Sequence, residues 1–155
     1  MNVSDWVSTV KNGLGRGVFP HQLSFVLDLP LRNILLSPRK LVARLPLAAM
    51  NNVLEVGAGS GFYSIEVARV VSEGQLELLD LQPDMLKRAR QKLKVSGFTN
   101  AGCTIADASH LPFKQQSFDI VFLVTVLGEI TDQNLFLREA DRVLTPGGIL
   151  SISEH

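Results

Sequence analysis

Three glycines alternate with other residues immediately after a short apolar segment of the chain. Gly57, Gly59 and Gly61 occupy every second position within the stretch VLEVGAGSGFYS, residues 53–64. Glycine adopts positive φ and lets a bound group approach the backbone closely. A glycine-rich turn between a strand and a helix is therefore typical of a site that binds a nucleoside or a nucleotide.

The residues around these glycines distinguish between kinds of nucleotide. A P-loop needs Lys followed by Ser or Thr after its glycines, whereas Phe62 stands here and no lysine lies nearby. The dinucleotide motif G-x-G-x-x-G would need glycine at position 62, so Phe62 disfavours NAD without excluding it. Glu55, two residues before Gly57, would repel a pyrophosphate. The loop therefore favours a positively charged nucleoside without phosphates, and an NAD-dependent oxidoreductase is the remote alternative.

The elements that must position this loop alternate between strand and helix patterns. Strands are predicted over residues 52–56, 75–81, 101–107, 118–124 and 149–153, with a turn at 145–148. Apolar spacing predicts helices over 61–71, from Pro83 until Gly97 ends it, and from a cap at Thr131 or Asp132 to Leu144. This order predicts an α/β fold with an open, mainly parallel sheet and helices on both faces. Ligands of such sheets bind beyond the carboxyl ends of the strands.

The first 50 residues differ from the rest, because prolines divide them into short amphipathic pieces. These prolines are Pro20, Pro30, Pro38 and Pro46. We expect residues 1–50 to form a helical cover and residues 51–155 to form the ligand-binding domain, together in a single structural unit. The cover combines apolar with basic residues, so ordinary packing on the sheet, a lid for a lipophilic substrate and contact with a membrane surface are all open.

Composition narrows the class of protein. The chain has 155 residues, with 15 basic and 15 acidic residues and no formal net charge. A dedicated nucleic-acid binder would carry a basic face, so none is expected. Cys103 is the single cysteine and the three histidines are scattered, so we expect no disulfide and no metal site. Neither a secretory signal nor a membrane span is evident, and a cytoplasmic location is expected.

Four stretches resemble the class I S-adenosylmethionine-dependent methyltransferases, in the order in which that family has them. They are VLEVGAGSGFYS, LLDLQPDML, ADASHLPFKQQSFDIVF and RVLTPGGILSISE, and they extend from about Asn52 to the C-terminus. The similarity is greatest to the group that includes the ubiquinone/menaquinone C-methyltransferases. The resemblance implies a Rossmann-like sheet of strand order 3-2-1-4-5 and S-adenosylmethionine as the cofactor.

The resemblance also implies roles for individual residues. Asp80 would accept charge-assisted hydrogen bonds from both ribose hydroxyls. Asp107 would accept from the adenine amino group, and the Ala108 N–H would reach a ring nitrogen. Glu55 would order the glycine loop and reach the methionine ammonium. The implied cofactor-binding residues are Glu55, Gly57, Ala58, Gly59, Gly61, Asp80, Leu81, Asp107 and Ala108.

Structural interpretations of several of these residues stay open beside the cofactor roles. Asp80 would otherwise be a solvated acid at a strand end, and Asp107 would be a turn or N-cap residue. Leu81 and Leu111 would sandwich the adenine ring or belong to the core.

The catalytic residues are not identified by the sequence. The candidates are Tyr63 near the methionine end, Glu129 after the fourth strand, and His21 and Arg32 in the cover, whereas His110 is expected at the rim. Some relatives carry histidine pairs after the fourth strand, and this chain does not. Methyl transfer from a sulfonium depends on positioning and needs a general base only when the acceptor must lose a proton.

The family fold continues beyond the fifth strand with two further strands, and this sequence ends at His155. The fifth strand is therefore expected to be an exposed apolar edge, which proteins rarely leave bare. Two functions follow as hypotheses. The first is a methyltransferase that acts on a small, lipophilic metabolite. The second is a cofactor-binding module that is inactive alone and is completed by a partner chain or by a second copy along this edge.

Overall fold

The computed structural model describes residues 37–154, and its centre is a five-stranded sheet. The strands are β1 (Asn52–Val56), β2 (Gln75–Asp80), β3 (Ala101–Ile105), β4 (Phe118–Val124) and β5 (Leu144–Ser153). Their order is β3-β2-β1-β4-β5, and every neighbouring pair is parallel. The predicted Rossmann-like α/β sheet of order 3-2-1-4-5 is confirmed.

Helices cover both faces of this sheet, as predicted. They are α1 (Pro38–Val42), α2 (Ser64–Val70), α3 (Pro83–Val95), a 3₁₀ helix (Leu127–Glu129) and α4 (Gln133–Val143). Buried residues of α2 and α3 pack on one face of the sheet in one apolar cluster. Buried residues of α4 pack on the other face in a second cluster. Both faces are thus buried, which explains why β1 and β4 are almost continuously apolar.

Helix ends follow the signals in the sequence. The Asp132 side chain accepts a hydrogen bond from the Leu135 N–H at 2.9 Å, which makes Asp132 rather than Thr131 the N-cap of α4. Pro83 begins α3, and Gly97 follows its end at φ +80°. The helix predicted from Gly61 begins only at Ser64, because residues 61–63 belong to the turn after β1.

The fifth strand differs from its prediction. It begins at Leu144, directly after α4, instead of at Ile149. Residues 145–148, predicted as a turn, form an irregularity within the strand: Phe118 pairs with Leu144, but Ile120 already pairs with Ile149. Gly147 takes φ +82° there, so the turn residues make a bulge. The second and third strands end earlier than predicted, at Asp80 and Ile105, which leaves Leu81 and Asp107 on loops.

Part of the predicted cover is visible. Leu41 and Val42 of α1 pack against the cluster under α2 and α3, while Arg39 and Lys40 are exposed. His21 and Arg32 lie outside the described residues, so their roles and the division at residue 50 stay predictions. In residues 37–154, no helix combines the length and the apolar character needed to cross a membrane.

Among the described residues β5 pairs only with β4, and its outer edge carries apolar side chains on both faces of the sheet. Ile149 is 42% exposed and Ile152 is 39% exposed. Their partners on β4 are Ile120 and Leu123, which belong to the two different core clusters. Both layers of the core therefore reach the edge of the sheet, as expected for an exposed apolar edge.

Candidate functional site

A cavity of about 310 Å³ lies at the carboxyl ends of β1, β2 and β4. The glycine loop forms one side, and the segment after β4 forms another. β1 lies between β2 and β4 in the sheet. From β1 the chain first adds β2 and β3 on one side and then crosses over to add β4 and β5 on the other side. This is the switch point at which open parallel sheets bind their ligands.

Backbone hydrogen bonds fix the glycine loop. The N–H groups of Gly57 and Ala58 donate to the Leu79 carbonyl at 2.8 and 3.1 Å, and the Gly61 N–H donates to the Ala58 carbonyl at 3.0 Å. The three predicted glycines all take positive φ, between +55° and +78°. The loop therefore has a fixed path that residues with a Cβ would follow only under strain.

Two of the glycines also allow other elements to approach. A Cβ at Gly57 would overlap the side chain of Val126, and one at Gly61 would lie 2.9 Å from the Cβ of Ala89 on α3. Gly61 is buried and does not line the cavity. In the structure it packs closely against Ala89 of α3, and the cofactor contact that the resemblance implies stays a prediction.

Asp80 connects the end of β2 to the glycine loop. Its Oδ2 accepts a hydrogen bond from the Gly59 N–H at 2.8 Å, and its Oδ1 accepts one from the Gln82 N–H at 2.8 Å. A carboxylate has about four lone-pair positions, so both oxygens keep acceptor capacity on the cavity side. Asp80 can thus hold the loop and accept hydroxyl groups of a ligand at the same time.

Glu55 is a buried acid in the wall of the cavity. It is 2% exposed, and the Ser64 hydroxyl donates to its Oε2 at 2.5 Å. Burial raises its pKa to about 8, against the opposing effect of the Ser64 hydrogen bond, and the nearby charge of Asp80 raises it further. The carboxyl is therefore mainly neutral at pH 7.

The other predicted cofactor residues meet at the same cavity, with one difference. Ala58, Leu81, Asp107 and Ala108 line it, and Leu81 is 49% exposed. The Asp107 Oδ1 also accepts from the Ser109 N–H at 2.7 Å, so the turn interpretation of Asp107 holds beside its place in the cavity wall. Leu111 packs in the second core cluster and does not line the cavity, which favours its core interpretation.

Two of the four candidate catalytic residues line the cavity. Tyr63 and Glu129 both line the cavity, and Tyr63 is buried and packs edge-to-face against Phe62 at 4.9 Å between ring centroids. His110 does not line it. In the part of the chain that the structure describes, no group of His, Cys, Asp or Glu could hold a metal ion.

Several residues of the wall carried no signal in the sequence. Thr125 lines the cavity at φ +57°, which is costly for a β-branched residue. Its N–H donates to the Ser153 carbonyl at 2.8 Å, so β5 holds it in place. Val126 and Ile130 continue this wall, and Met85 of α3 also contributes. These contacts depend on how distant strands meet, which local sequence patterns do not encode.

An ion pair on α4 holds the loop that leads from Asp107 to β4. Arg142 donates to the carbonyls of Phe113 and Leu111 at 2.8 and 2.9 Å, and it pairs with Glu139 at 2.7 Å. Glu139 accepts from the Leu111 N–H at 2.9 Å, and these bonds lower its pKa. The cavity wall at Asp107 and Ala108 thus rests on a loop fixed from α4.

The acidic and basic side chains that line the cavity are all acids. Its described lining includes four carboxyl side chains and no Lys, Arg or His; the acids are Glu55, Asp80, Asp107 and Glu129. A pyrophosphate would find no basic partner in this lining. A ligand with a positive charge and hydroxyl groups would find acceptors for both.

The raised pKa of Glu55 predicts a pH dependence of folding. The folded state keeps the Glu55 proton up to about pH 8, whereas the unfolded chain loses it near the ordinary value of 4.5. The contribution of this group to stability is therefore complete below pH 4.5 and falls as the pH rises to about 8, at up to about 1.4 kcal/mol per pH unit. Urea unfolding between pH 5 and 8 should show that fall in the wild type and lack it in Glu55→Gln. Equal slopes for the two proteins would contradict the assignment.

Comparison with known proteins places the chain in a family. Residues 48–155 match the family described as a methyltransferase domain. A ubiquinone/menaquinone biosynthesis C-methyltransferase of Teredinibacter turnerae is 39% identical over 106 residues, which are 67% of this chain and 43% of the relative. The enzyme of the same name from Marinomonas sp. is 36% identical, and this chain covers 47% of its length. The chain thus spans less than half the length of these curated relatives.

Solved structures give the same result. A SAM-dependent methyltransferase from Aquifex aeolicus has a TM-score of 0.81 at 28% identity, over 87% of this chain and 72% of that one. A phosphoethanolamine N-methyltransferase of Haemonchus contortus, solved with phosphoethanolamine and S-adenosylhomocysteine, has a TM-score of 0.66 at 22% identity, over 74% of this chain and 24% of that one, and shares the fold.

The acidic lining suits the sulfonium and ammonium groups of S-adenosylmethionine, and Asp80 suits its ribose hydroxyls. The cavity and the comparisons therefore agree on the cofactor. The chain belongs to the methyltransferase-domain family of class I S-adenosylmethionine-dependent methyltransferases, and its cofactor is S-adenosylmethionine.

Proposed function

We propose that this chain transfers a methyl group from S-adenosylmethionine to a small, lipophilic acceptor at the cavity. The observation that carries the proposal is the acidic character of the lining, which has four carboxyl groups and no basic side chain among the described residues. Such a lining favours a cationic nucleoside and disfavours the pyrophosphate of NAD, which was the remote alternative from the sequence.

The cofactor roles of individual residues are part of this proposal. Asp80 would accept the ribose hydroxyls, and Asp107, Ala108 and Leu81 would hold the adenine. Glu55 and the glycine loop would hold the methionine end. When bound there, S-adenosylmethionine supplies a methyl group on a positively charged sulfur, which makes the methyl carbon susceptible to in-line attack.

The chain itself would contribute positioning and exclusion of water. The side chains of Phe62, Val126 and Ile130 form an apolar part of the cavity wall. The Tyr63 ring is held by its edge-to-face packing against Phe62. Positive charge spreads over the reacting atoms in the transition state, so a water-poor site helps the transfer. A fixed orientation of the two reactants can contribute about 7–11 kcal/mol. If the acceptor must lose a proton, Glu129 would accept that proton or orient the acceptor.

A lipophilic aromatic acceptor is the class we propose. The relatives are named for C-methylation in ubiquinone and menaquinone biosynthesis, and the apolar residues of the wall would suit a quinol ring. The neutral net charge gives no support to nucleic acid as the substrate. A cytoplasmic location stays part of the proposal, based on the lone Cys103.

The edge of β5 supports a second candidate function. Ile149 and Ile152 are each about two-fifths exposed on opposite faces of a strand that pairs only with β4 in the described part of the chain. A strand from a second copy or from a partner chain would cover both side chains. In this case the chain is a cofactor-binding module that becomes active only when completed.

Replacement of Asp80 tests the cofactor site. Asp80→Ala removes the acceptor for ribose hydroxyls and the bond to the Gly59 N–H, so we expect at least about tenfold weaker binding of S-adenosylmethionine, about 1.4 kcal/mol. Asp141→Ala, an exposed acid on α4, is the matched control and should bind as the wild type does. Equal affinity of Asp80→Ala and the wild type in calorimetric titration would refute the role of Asp80.

Turnover separates the two candidate functions. The protein is incubated with S-adenosylmethionine and soluble benzoquinol and naphthoquinol analogues, and S-adenosylhomocysteine is quantified by chromatography, beside a sizing experiment. The proposal expects S-adenosylhomocysteine formation that depends on the acceptor. Cofactor binding without turnover by a monomer would favour the module that needs completion, and turnover only in an oligomer would assign the completing strand to a second copy.

A further inference from the structure

Glu55 is a buried acid that faces a ligand cavity without a cationic partner. It is 2% exposed, and its hydrogen-bond partner is the neutral hydroxyl of Ser64 on α2. None of the ion pairs formed within residues 37–154 includes it. An acid in this environment keeps its proton, because burial of an unpaired charge costs far more than burial of the neutral form.

Charged and titratable groups lie near Glu55 on several elements. Asp80 of β2 contributes a negative charge, and Glu129 of the 3₁₀ helix lines the same cavity. Val124 at the end of β4 and Thr125 directly after it are uncharged residues of the lining. On α3, Lys92 donates to Ser60 of the glycine loop at 3.3 Å. On β3, the Cys103 thiol interacts electrostatically with Glu55, and burial raises the pKa of that thiol.

We infer that Glu55 makes this site selective for positively charged nucleosides by releasing its proton when such a ligand binds. The inference rests on the proposed function, since it concerns the same cavity. The carboxyl O–H bond breaks, the electron pair stays on the oxygen, and the proton goes to a base of the buffer. The ligand cation and the new carboxylate then compensate each other inside the cavity. A neutral nucleoside gives no such compensation, so Glu55 stays protonated when it binds.

The expected proton count follows from the state of the free protein. With a pKa of about 8, Glu55 is protonated in about nine of ten molecules at pH 7, so binding of a cation should release about 0.9 proton. The apparent affinity should then rise by close to tenfold per pH unit between pH 6 and 7. The window ends there because the amino group of the ligand, with a typical α-amino pKa of about 7.7–8.0, begins to lose its own proton.

The experiment is calorimetric titration of the 155-residue chain at pH 7 in phosphate and in Tris, buffers whose ionisation enthalpies differ. The difference between the two measured binding enthalpies gives the number of protons released. S-Adenosylmethionine is the cationic ligand, and 5′-methylthioadenosine is the matched neutral nucleoside. Glu55→Gln is the matched variant, because it keeps the shape of the side chain and has no proton to release.

The inference expects about 0.9 proton with S-adenosylmethionine and close to none with methylthioadenosine in the wild type. Glu55→Gln should release close to none with either ligand, and its preference for the cation should fall by about tenfold or more. Binding of S-adenosylmethionine without proton release, or equal release in Glu55→Gln, overturns the inference and leaves the proposed function intact. Failure of the wild type to bind S-adenosylmethionine overturns both. If Glu55→Gln does not fold, the difference in proton release between the two ligands, measured on the wild type, still tests the inference.

Discussion

The carboxylate of Asp80 joins the end of β2 to the middle of the glycine loop, and the site depends on this junction. Its two oxygens accept hydrogen bonds from the N–H groups of Gly59 and Gln82, both at 2.8 Å. The N–H of Gly59 is therefore directed to an acid of the protein. The Asp80 carboxylate thus stands beside the loop where a dinucleotide site presents N–H groups to a pyrophosphate, and the Glu55 carboxyl lines the same cavity. The same junction leaves carboxylate oxygens for hydroxyl groups, which suits a nucleoside.

Close packing keeps this loop in place from both faces of the sheet. Gly61 brings it against Ala89 of α3, and Gly57 leaves room for the Val126 side chain from the segment after β4. That segment is in turn tied to the end of β5 through the N–H of Thr125. The cavity is therefore built from contacts among β1, β4, β5 and α3, and the edge strand takes part in it. A chain that pairs with β5 would act on a strand that already holds the cavity wall.

Much of this architecture could be predicted from local patterns. The apolar runs of β1 and β4, Asp132 at the start of α4 and Gly97 at the end of α3 are signals of neighbouring residues, and the structure has them where the sequence indicates. The parallel order follows from the alternation of strands and helices. Glu55 could be singled out because an acid within an otherwise apolar strand is rare unless it has a partner.

The remaining features depend on contacts between residues far apart in the chain. Ser64 as the partner of Glu55, and Val126 above Gly57, follow only once β1, α2 and β4 have assembled. The positive φ of Thr125 has no signal in the local sequence, and the Thr125 N–H donates to the Ser153 carbonyl of the distant strand β5. The bulge at residues 145–148 follows from pairing with β4, where a local interpretation of TPGG gave a turn. Local sequence predicts the positions of acids and glycines, and tertiary packing decides which of them face the ligand.

The central proposal is that this glycine loop favours a positively charged nucleoside over a dinucleotide. The most direct test is a competition experiment. S-Adenosylmethionine is titrated into the purified chain at pH 7 in a calorimeter, with and without excess NAD. The account predicts that S-adenosylmethionine binds with a dissociation constant on the order of micromolar, about −8 kcal/mol, and that excess NAD leaves this binding unchanged. Binding of NAD in preference to S-adenosylmethionine would contradict it.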